Sequence, residues 1–484
     1  MICRRVTAGI LAVLLGLVSA ARAEQTVESL TGGAVGGVGP FVQDVTDAIK
    51  KFSAGDFPGA FANLESARKS TPRLPPAEVM MAQLYFDANQ PGAAIGMLER
   101  AARTLPTDPE ALVMLGERAV LEGRGIEAGL LFAKAAPAVD KFTDNPKRRQ
   151  AMQTRLYSAW ATVDEAEGNL PQAEKKLQDL LRLDTRNATA QERLGRVLFK
   201  QNKLREAYEA FKIGAQLDPK APPAELAMAS MFQDRAKAEQ WLNHAIENAP
   251  KDVRTQLAAG EYRLRTNMLD EAQKHATEAI KLDPTNVDAN LLAGVVARMN
   301  NDYPAAAKYL GEAHLMAPAN GDVINHLALC LIELPDDVSR SRALQFADLN
   351  ARQHPDNVTY MTTLGWISYK LNRRKDADRV LNAAFRGAAT ANNNKMTADM
   401  AYYLANLAKD TGKLEYAAKL LREAANSSEA FAYRKPAQKL LAEIEKGTAA
   451  PSGAKSPDAA RSKAGSTSPA PDKADAAEST PASK

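Results

Sequence analysis

The chain has 484 residues, of which 25% are charged and 45% are apolar, and this length exceeds what one hydrophobic core organises, so several domains or a repeat array are expected. Aromatic residues make up only 6%, which favours helices packed through small contacts over a β-sandwich. The formal net charge is +4, and loss of Arg4, Arg5 and Arg22 with the leader described next leaves about +1, which argues against direct nucleic-acid binding.

The first 23 residues are predicted to be a secretory signal peptide. Arg4 and Arg5 form its positive start, and residues 8–18 are an apolar stretch too short to span a bilayer. Small residues at Ala21 and Ala23 suit a signal peptidase. We therefore expect an exported protein, periplasmic or extracellular in a bacterium, with no transmembrane segment in the mature chain. The alternative is that the leader is retained as an anchor.

Low-complexity segments flank the central part of the sequence. Residues 24–40 are rich in glycine and are predicted to be a flexible linker. Residues 447–484 contain Ala, Ser, Pro, Lys, Asp and Thr but no Leu, Ile, Val or aromatic residue. Such a segment buries too little apolar surface to offset the entropy of ordering, so we expect a disordered tail, with a role as a tether left open.

A short sequence pattern, with a small residue near the start of a predicted helix, recurs throughout residues 41–429. It reads Leu204-Arg-Glu-Ala207 in one place and Leu269-Asp-Glu-Ala272 in another. Most intervals between these index alanines are 34 residues, a period that indicates stacked helical hairpins. The index alanines are Ala60, Ala94, Ala128, Ala173, Ala207, Ala238, Ala272, Ala306, Ala343, Ala377 and Ala417.

Other positions recur with the index alanine. A Leu-Gly or Ala-Gly pair precedes it by about twelve residues, as at Gly195 and Gly294, and a proline follows it by twelve, as at Pro219 and Pro284. Small residues let two helices approach closely while a large residue fills the space beside them. With these positions the chain resembles the tetratricopeptide-repeat family. The resemblance implies an all-α, right-handed α-solenoid of about eleven hairpins, whose concave groove binds proteins or peptides.

Irregular intervals locate insertions and the end of the array. The 45-residue step predicts about eleven extra residues around residues 139–153, as a lengthened helix or loop. Shorter insertions are expected near residues 334–337 and 391–395. Residues 430–446 have helical periodicity with Lys and Glu on the other face, and are predicted to form the capping helix that solenoids need.

No pattern of catalytic or metal-binding residues emerges. The five histidines form no H-E-x-x-H motif, and no Walker loop or nucleophile elbow is present. Cys330, the one cysteine beyond the leader, lies in an apolar run and is predicted to be a buried small hydrophobe. We therefore expect no enzyme activity, no catalytic residue, no metal and no cofactor.

Family geometry, carried over from the resemblance, places the second, fifth, ninth and twelfth residues of each first helix on the groove. The candidate partner-binding residues are Arg196, Phe199, Arg254, Glu261, Trp366, Tyr369, Tyr402 and Asn406. The last four combine aromatic rings with an amide and are candidate anchors for a peptide. The other interpretation is that these aromatic rings pack between helices.

The predicted function is a non-catalytic scaffold for protein–protein interaction in the cell envelope. Assembly, secretion and exopolysaccharide export are the processes that the fold suggests by analogy. An alternative is a glycan-binding or enzyme-accessory subunit, in which Trp366 and Tyr402 would stack on sugars. The identity of the partner is not predicted.

Overall fold

The computed structural model describes residues 26–31, 39, 41–390, 396–428 and 430–448. Every regular element within these ranges is an α-helix, so the all-α prediction is confirmed. The predicted signal peptide, the insertion at residues 391–395 and the tail from residue 449 lie outside the described residues.

The chain divides into two compact units, unit 1 up to Ser339 and unit 2 from Arg340. The described part of unit 1 begins with the short helix α1 (Val27–Thr31) and continues as hairpins, each of which contacts the next. The hairpins are α2–α3 (Phe41–Ser53, Phe57–Ser70), α4–α5 (Ala77–Asp87, Pro91–Thr104), α6–α7 (Glu110–Leu121, Gly125–Lys141), α8–α9 (Pro146–Glu167, Leu170–Leu183), α10–α11 (Ala188–Lys200, Leu204–Leu217), α12–α13 (Ala224–Met231, Arg235–Asn248), α14–α15 (Val253–Arg265, Leu269–Leu282) and α16–α17 (Val287–Met299, Tyr303–Met316).

Helix α18 (Gly321–Leu331) ends the described helices of unit 1, and α19 (Asp337–Gln353) crosses the boundary between the units. Unit 2 continues with α20–α21 (Val358–Lys370, Arg374–Thr390), α22–α23 (Ala398–Asp410, Leu414–Ala425) and α24 (Arg434–Thr448), the last described helix, which packs on α23. Consecutive hairpins stacked in this way form the predicted α-solenoid.

Turns within the hairpins share one backbone feature. The residue five before the index alanine has a positive φ in most hairpins, and it is either Asn or Gly. These two residue types tolerate the left-handed conformation that ends a helix and reverses the chain. The residues are Gly55, Asn89, Gly123, Gly168, Asn202, Asn267, Asn301, Asn372 and Gly412.

Index alanines occupy the crossing of the two helices in each hairpin. All of them have no exposed surface except Ala238, which is half-buried. The glycine of the first helix lies against the residue four after the index alanine, so that a Cβ on Gly116 would lie 2.3 Å from the Phe132 ring. A Cβ on Gly294 would lie 2.4 Å from Cγ of Leu310. The predicted packing of small against large residues is thus confirmed.

The 45-residue interval corresponds to lengthened helices, as predicted. Helix α7 has 17 residues and α8 has 22. Arg148 of α8 is almost fully buried and donates to both carboxylate oxygens of Asp108 at 3.0 Å and to Glu110 at 2.5 Å. The carboxylates of α6 and of the turn before it therefore satisfy the buried guanidinium. These polar contacts hold the longer helix in place in addition to its apolar packing.

Two of the predicted segments contain described helices whose bounds differ from those expected. The segment 24–40 contains a helix, α1, which contacts α2 and α4 and buries Leu30 in their core, because Val27 and Leu30 give it an apolar side that the glycine count concealed. The capping helix begins at Arg434 instead of residue 430, since Phe431 and Tyr433 ahead of it are packed into unit 2.

Cys330 is fully buried in α18, as predicted, and burial raises the pKa of its thiol to about 12. None of the helices in the described ranges combines the length and the apolar character required to cross a bilayer.

Candidate functional site

The inner side of each unit is identified by which helices touch. In unit 1, first helices of consecutive hairpins contact one another, as α6 and α8 do, and likewise α14 and α16. In unit 2, α20 contacts α22. Helices on the inner side of a curved stack lie closer together than those outside, so the first helices line the concave surface. We call this surface of unit 1 the groove.

Arg196 and Phe199 lie on this surface at the end of α10. Both are half-buried, and Arg196 forms an ion pair with Glu192 one turn earlier, at 2.5 Å. The ring of Phe199 packs edge-on against Phe232 at 4.7 Å between centroids. The two phenylalanine rings therefore form an apolar surface next to the Arg196–Glu192 ion pair.

Arg254 and Glu261 are on α14. Arg254 pairs with Asp252 at 2.5 Å and donates to the backbone carbonyl of Lys220 at 2.7 Å, so its guanidinium holds the turn before α12 against α14. This is a structural role, different from the predicted contact with a partner. Glu261 is exposed on the groove.

Trp366, Tyr402 and Asn406 are brought together in unit 2, but in its interior. Their exposed fractions are 3%, 8% and 8%. Trp366 is stacked on Tyr403 at 4.3 Å, and its indole N–H donates to the hydroxyl of Tyr433 at 3.2 Å. The structure therefore favours the other interpretation of these aromatic rings, as packing between helices.

Tyr369 is also stacked on Trp366, with nearly parallel rings whose centroids are 5.3 Å apart. Its hydroxyl donates to Asp410 at 2.9 Å, and the Arg374 guanidinium lies 3.9 Å from its ring. Burial and the bond to Asp410 raise the pKa of Tyr369 to about 12. Since Trp366 is only 3% exposed, it has no open face on which a sugar ring could stack.

Sequence reasoning missed the two residues that cover this cluster. Phe431 and Tyr433 precede α24, and Tyr433 is stacked on Tyr402 at 5.1 Å. Phe431 lies edge-on to Tyr402 at 5.9 Å. The segment was interpreted as part of the capping helix, and no local pattern shows that its rings turn inward.

Sequence reasoning also missed apolar side chains at groove positions of α16. Leu291 and Val295 occupy the same places as Leu257 and Glu261 of α14 and are half-buried. Applying the family positions to every first helix would have found them. Together with Leu257 and Leu264 they form an apolar strip along two adjacent first helices.

Within the described ranges no group of three or more His, Cys, Asp or Glu side chains is arranged to hold a metal ion. The open hollow on the α10–α11 hairpin, about 550 Å³, has an apolar floor that includes Leu194 and Leu198, with Arg205, Glu206 and Glu209 at its edge. These side chains suit the packing of another helix better than the binding of a small polar ligand.

Comparison with known proteins supports membership of the tetratricopeptide-repeat family. One tetratricopeptide-repeat family model matches residues 51–117, and a second matches residues 158–222 and 257–322. No curated protein matches the chain in sequence.

Several solved structures are similar to parts of the chain. A tetratricopeptide-repeat protein from Parabacteroides merdae is 12% identical, with 60% of this chain and 99% of that chain covered and a TM-score of 0.35. Yeast Tom70 is 14% identical over 84% of this chain and 96% of its own, with a TM-score of 0.31. The APC/C hetero-tetramer Cut9–Hcn1 is 12% identical over 87% of this chain and 93% of its own, with a TM-score of 0.39.

Proposed function

We propose that this tetratricopeptide-repeat chain is a non-catalytic scaffold that binds other proteins or peptides in the groove of unit 1. Proteins built from such repeats generally mediate protein–protein interaction through extended concave surfaces. One observation carries the proposal. Half-buried apolar side chains occupy groove positions of α10, α14 and α16 and line the inner surface, namely Phe199, Leu257, Leu264, Leu291 and Val295.

Charged residues beside this apolar strip indicate what kind of partner it binds. Glu261 and Asp288 are exposed on α14 and α16, and the Arg196–Glu192 pair lies on α10. Apolar side chains of a partner would be desolvated on the strip, and its charged side chains would find both signs nearby. We therefore propose an amphipathic segment of a protein as the ligand.

Location in the cell envelope is part of the proposal and depends on the leader sequence in residues 1–23. An exported scaffold would act in assembly, secretion or exopolysaccharide export. Fractionation of cells of the native host, with detection of the chain by antibody, tests this part. Recovery of the processed protein in the cytoplasm would contradict it.

Site-specific photo-crosslinking tests the groove. A photoreactive amino acid is introduced at Leu291 or Leu257 in the groove, and at Lys308 on the outer side of α17 as the matched control. We expect the groove positions to crosslink a defined set of proteins in living cells of the native host and the control position to crosslink few of them. Equal labelling from both sides, or none from the groove, would contradict the proposed site.

Alteration of the groove gives an independent measurement. Leu291→Arg places a charge on the apolar strip at a half-buried position and is expected to weaken capture of the crosslinked partners at least tenfold, about 1.4 kcal/mol. Lys308→Glu is the control for a change of charge elsewhere. Unchanged capture by Leu291→Arg would show that the strip does not bind them.

A further inference from the structure

Helix α7 is apolar on two opposite sides. Its inner side carries Ala128, Phe132, Ala135 and Val139, all without exposed surface. The outer side repeats the same helical spacing with Ile126, Leu130, Ala133 and Pro137, all of which are exposed. We call these four residues the outer stripe. A helix that is apolar all round is ordinarily covered on all sides.

Corresponding positions of the other second helices include charged residues. These four positions are two residues before each index alanine and two, five and nine residues after it. On α11 they hold Arg205, Glu209 and Lys212, and on α15 Asp270 and Lys281. Within the described part of the chain, every other second helix has a charged residue in at least one of these four positions, whereas α7 has none.

Exposure of the outer stripe is large. Ile126 is 79% exposed and Leu130 is 69% exposed. Gly129 beside the stripe has open space where a Cβ would project, with no atom within 4 Å. Exposed apolar residues that adjoin one another in this way mark an interaction surface, whereas isolated ones are common.

Charged residues along one edge of the stripe identify the occupant. Glu127 and Lys134 lie two helical turns apart on the same edge, about 10 Å along the axis. Both are exposed. Glu127 pairs with Arg124 at the start of the helix, whereas Lys134 has no ion-pair partner among the described residues. One edge of the helix thus carries an acid and a base at equal distances from a point between residues 130 and 131, within the stripe.

We propose that the outer stripe binds a second copy of this chain through an antiparallel α7–α7 contact. A twofold axis between residues 130 and 131 places Glu127 of each copy beside Lys134 of the other, so the pairing occurs twice. The same axis sets Ile126 between Ala133 and Pro137 of the second copy, and the two Leu130 side chains meet at the centre. A self-complementary surface of this kind is what a twofold interface requires.

Such a dimer joins two chains through their second helices. The grooves, lined by first helices, stay open in both copies, so one dimer presents two binding surfaces and gains avidity for a repeated partner. A contact centred on one helix per copy is small, so we expect a dissociation constant of about micromolar size.

Sedimentation velocity over about a hundredfold range of protein concentration tests the dimer. The chain from Glu24 is expected to shift from monomer to dimer as concentration rises. Leu130→Lys is expected to keep it monomeric over the whole range. Leu315→Lys is the matched control, because Leu315 of α17 is 77% exposed but is flanked on its helix by Lys308 and Glu312. A monomer at all concentrations, or a dimer in the Leu130→Lys variant, would overturn the proposal.

Charge reversal tests the geometry. Glu127→Lys and Lys134→Glu each place like charges together and are expected to raise the dissociation constant several-fold. The double variant restores both pairs with opposite polarity and is expected to recover dimerisation. Failure of the double variant to recover it, with circular dichroism unchanged, would overturn the antiparallel arrangement.

Discussion

Gly294 and Gly311 are both helical glycines, but only one of them faces another helix. Gly294 of α16 lies against Leu310, whereas no atom lies within 4 Å of the place where a Cβ of Gly311 would project. The first glycine is required by close approach of two helices, while the second weakens its helix through its conformational freedom.

Alanine at the two positions is expected to have opposite effects. Gly294→Ala forces Leu310 to move and should lower the free energy of unfolding by about 1–3 kcal/mol. Gly311→Ala should raise it by about 0.5–1 kcal/mol, since alanine restricts the unfolded chain without meeting any atom. Urea unfolding followed by circular dichroism measures both. Equal effects of the same sign would contradict the packing described for Gly294.

At the scale of the element, the segment before α24 covers the aromatic cluster of unit 2. Tyr433 is stacked on Tyr402, lies edge-on to Tyr403 and accepts the indole hydrogen bond of Trp366. Its ring thereby joins α20 and α22 to the end of the array. The capping helix is held by these aromatic contacts as well as by its packing on α23.

Tyr433→Ala is expected to expose Trp366 and to destabilise unit 2 by about 3 kcal/mol, because a buried ring and its hydrogen bond are both lost. With Trp160 and Trp241 replaced by Phe, the fluorescence of Trp366 should shift to longer wavelength. Tyr416→Ala, at an exposed tyrosine of α23, is the control and should leave the spectrum unchanged. An unshifted spectrum in Tyr433→Ala would show that this ring does not seal the cluster.

For the whole molecule, the sixth hairpin is one of the irregular units of the array. Helix α12 has 8 residues, against 13 in α10 and α14, and its index residue, Ala238, is half-buried. Buried Glu225 accepts hydrogen bonds from Tyr208 and Asn248. The family models likewise match on both sides of this hairpin, at residues 158–222 and 257–322, but not across it.

Amide hydrogen exchange is expected to be faster in α12 and α13 than in the neighbouring hairpins of unit 1. A shortened helix with a half-buried crossing has less apolar surface to hold it closed, so local opening costs less free energy. Mass spectrometry of peptides from residues 188–282 gives the comparison. Uniform protection through these helices would show that the irregular hairpin is as stable as its neighbours.

Much of the fold follows from local spacing. The repeat of Ala207, Ala272 and Ala306 indicated hairpins because a residue at a helix crossing must be small wherever it recurs. Gly195 and Gly294 indicated close approach for the same reason. The length of α7 and α8 followed from a longer interval between index alanines. These features depend on neighbours within one hairpin, so the order of residues is sufficient to predict them.

The candidate site depended on contacts between distant residues. Arg254 occupies a groove position, but carbonyl groups before α12 engage its guanidinium. Trp366 and Tyr402 suit a binding surface by position, but Tyr433, 67 residues beyond Trp366, turns inward and buries them. The pattern of the index alanines determined that α7 buries Ala128 and Phe132. Only the tertiary structure decided that Ile126 and Leu130 face outward uncovered, because exposure depends on which elements pack from outside.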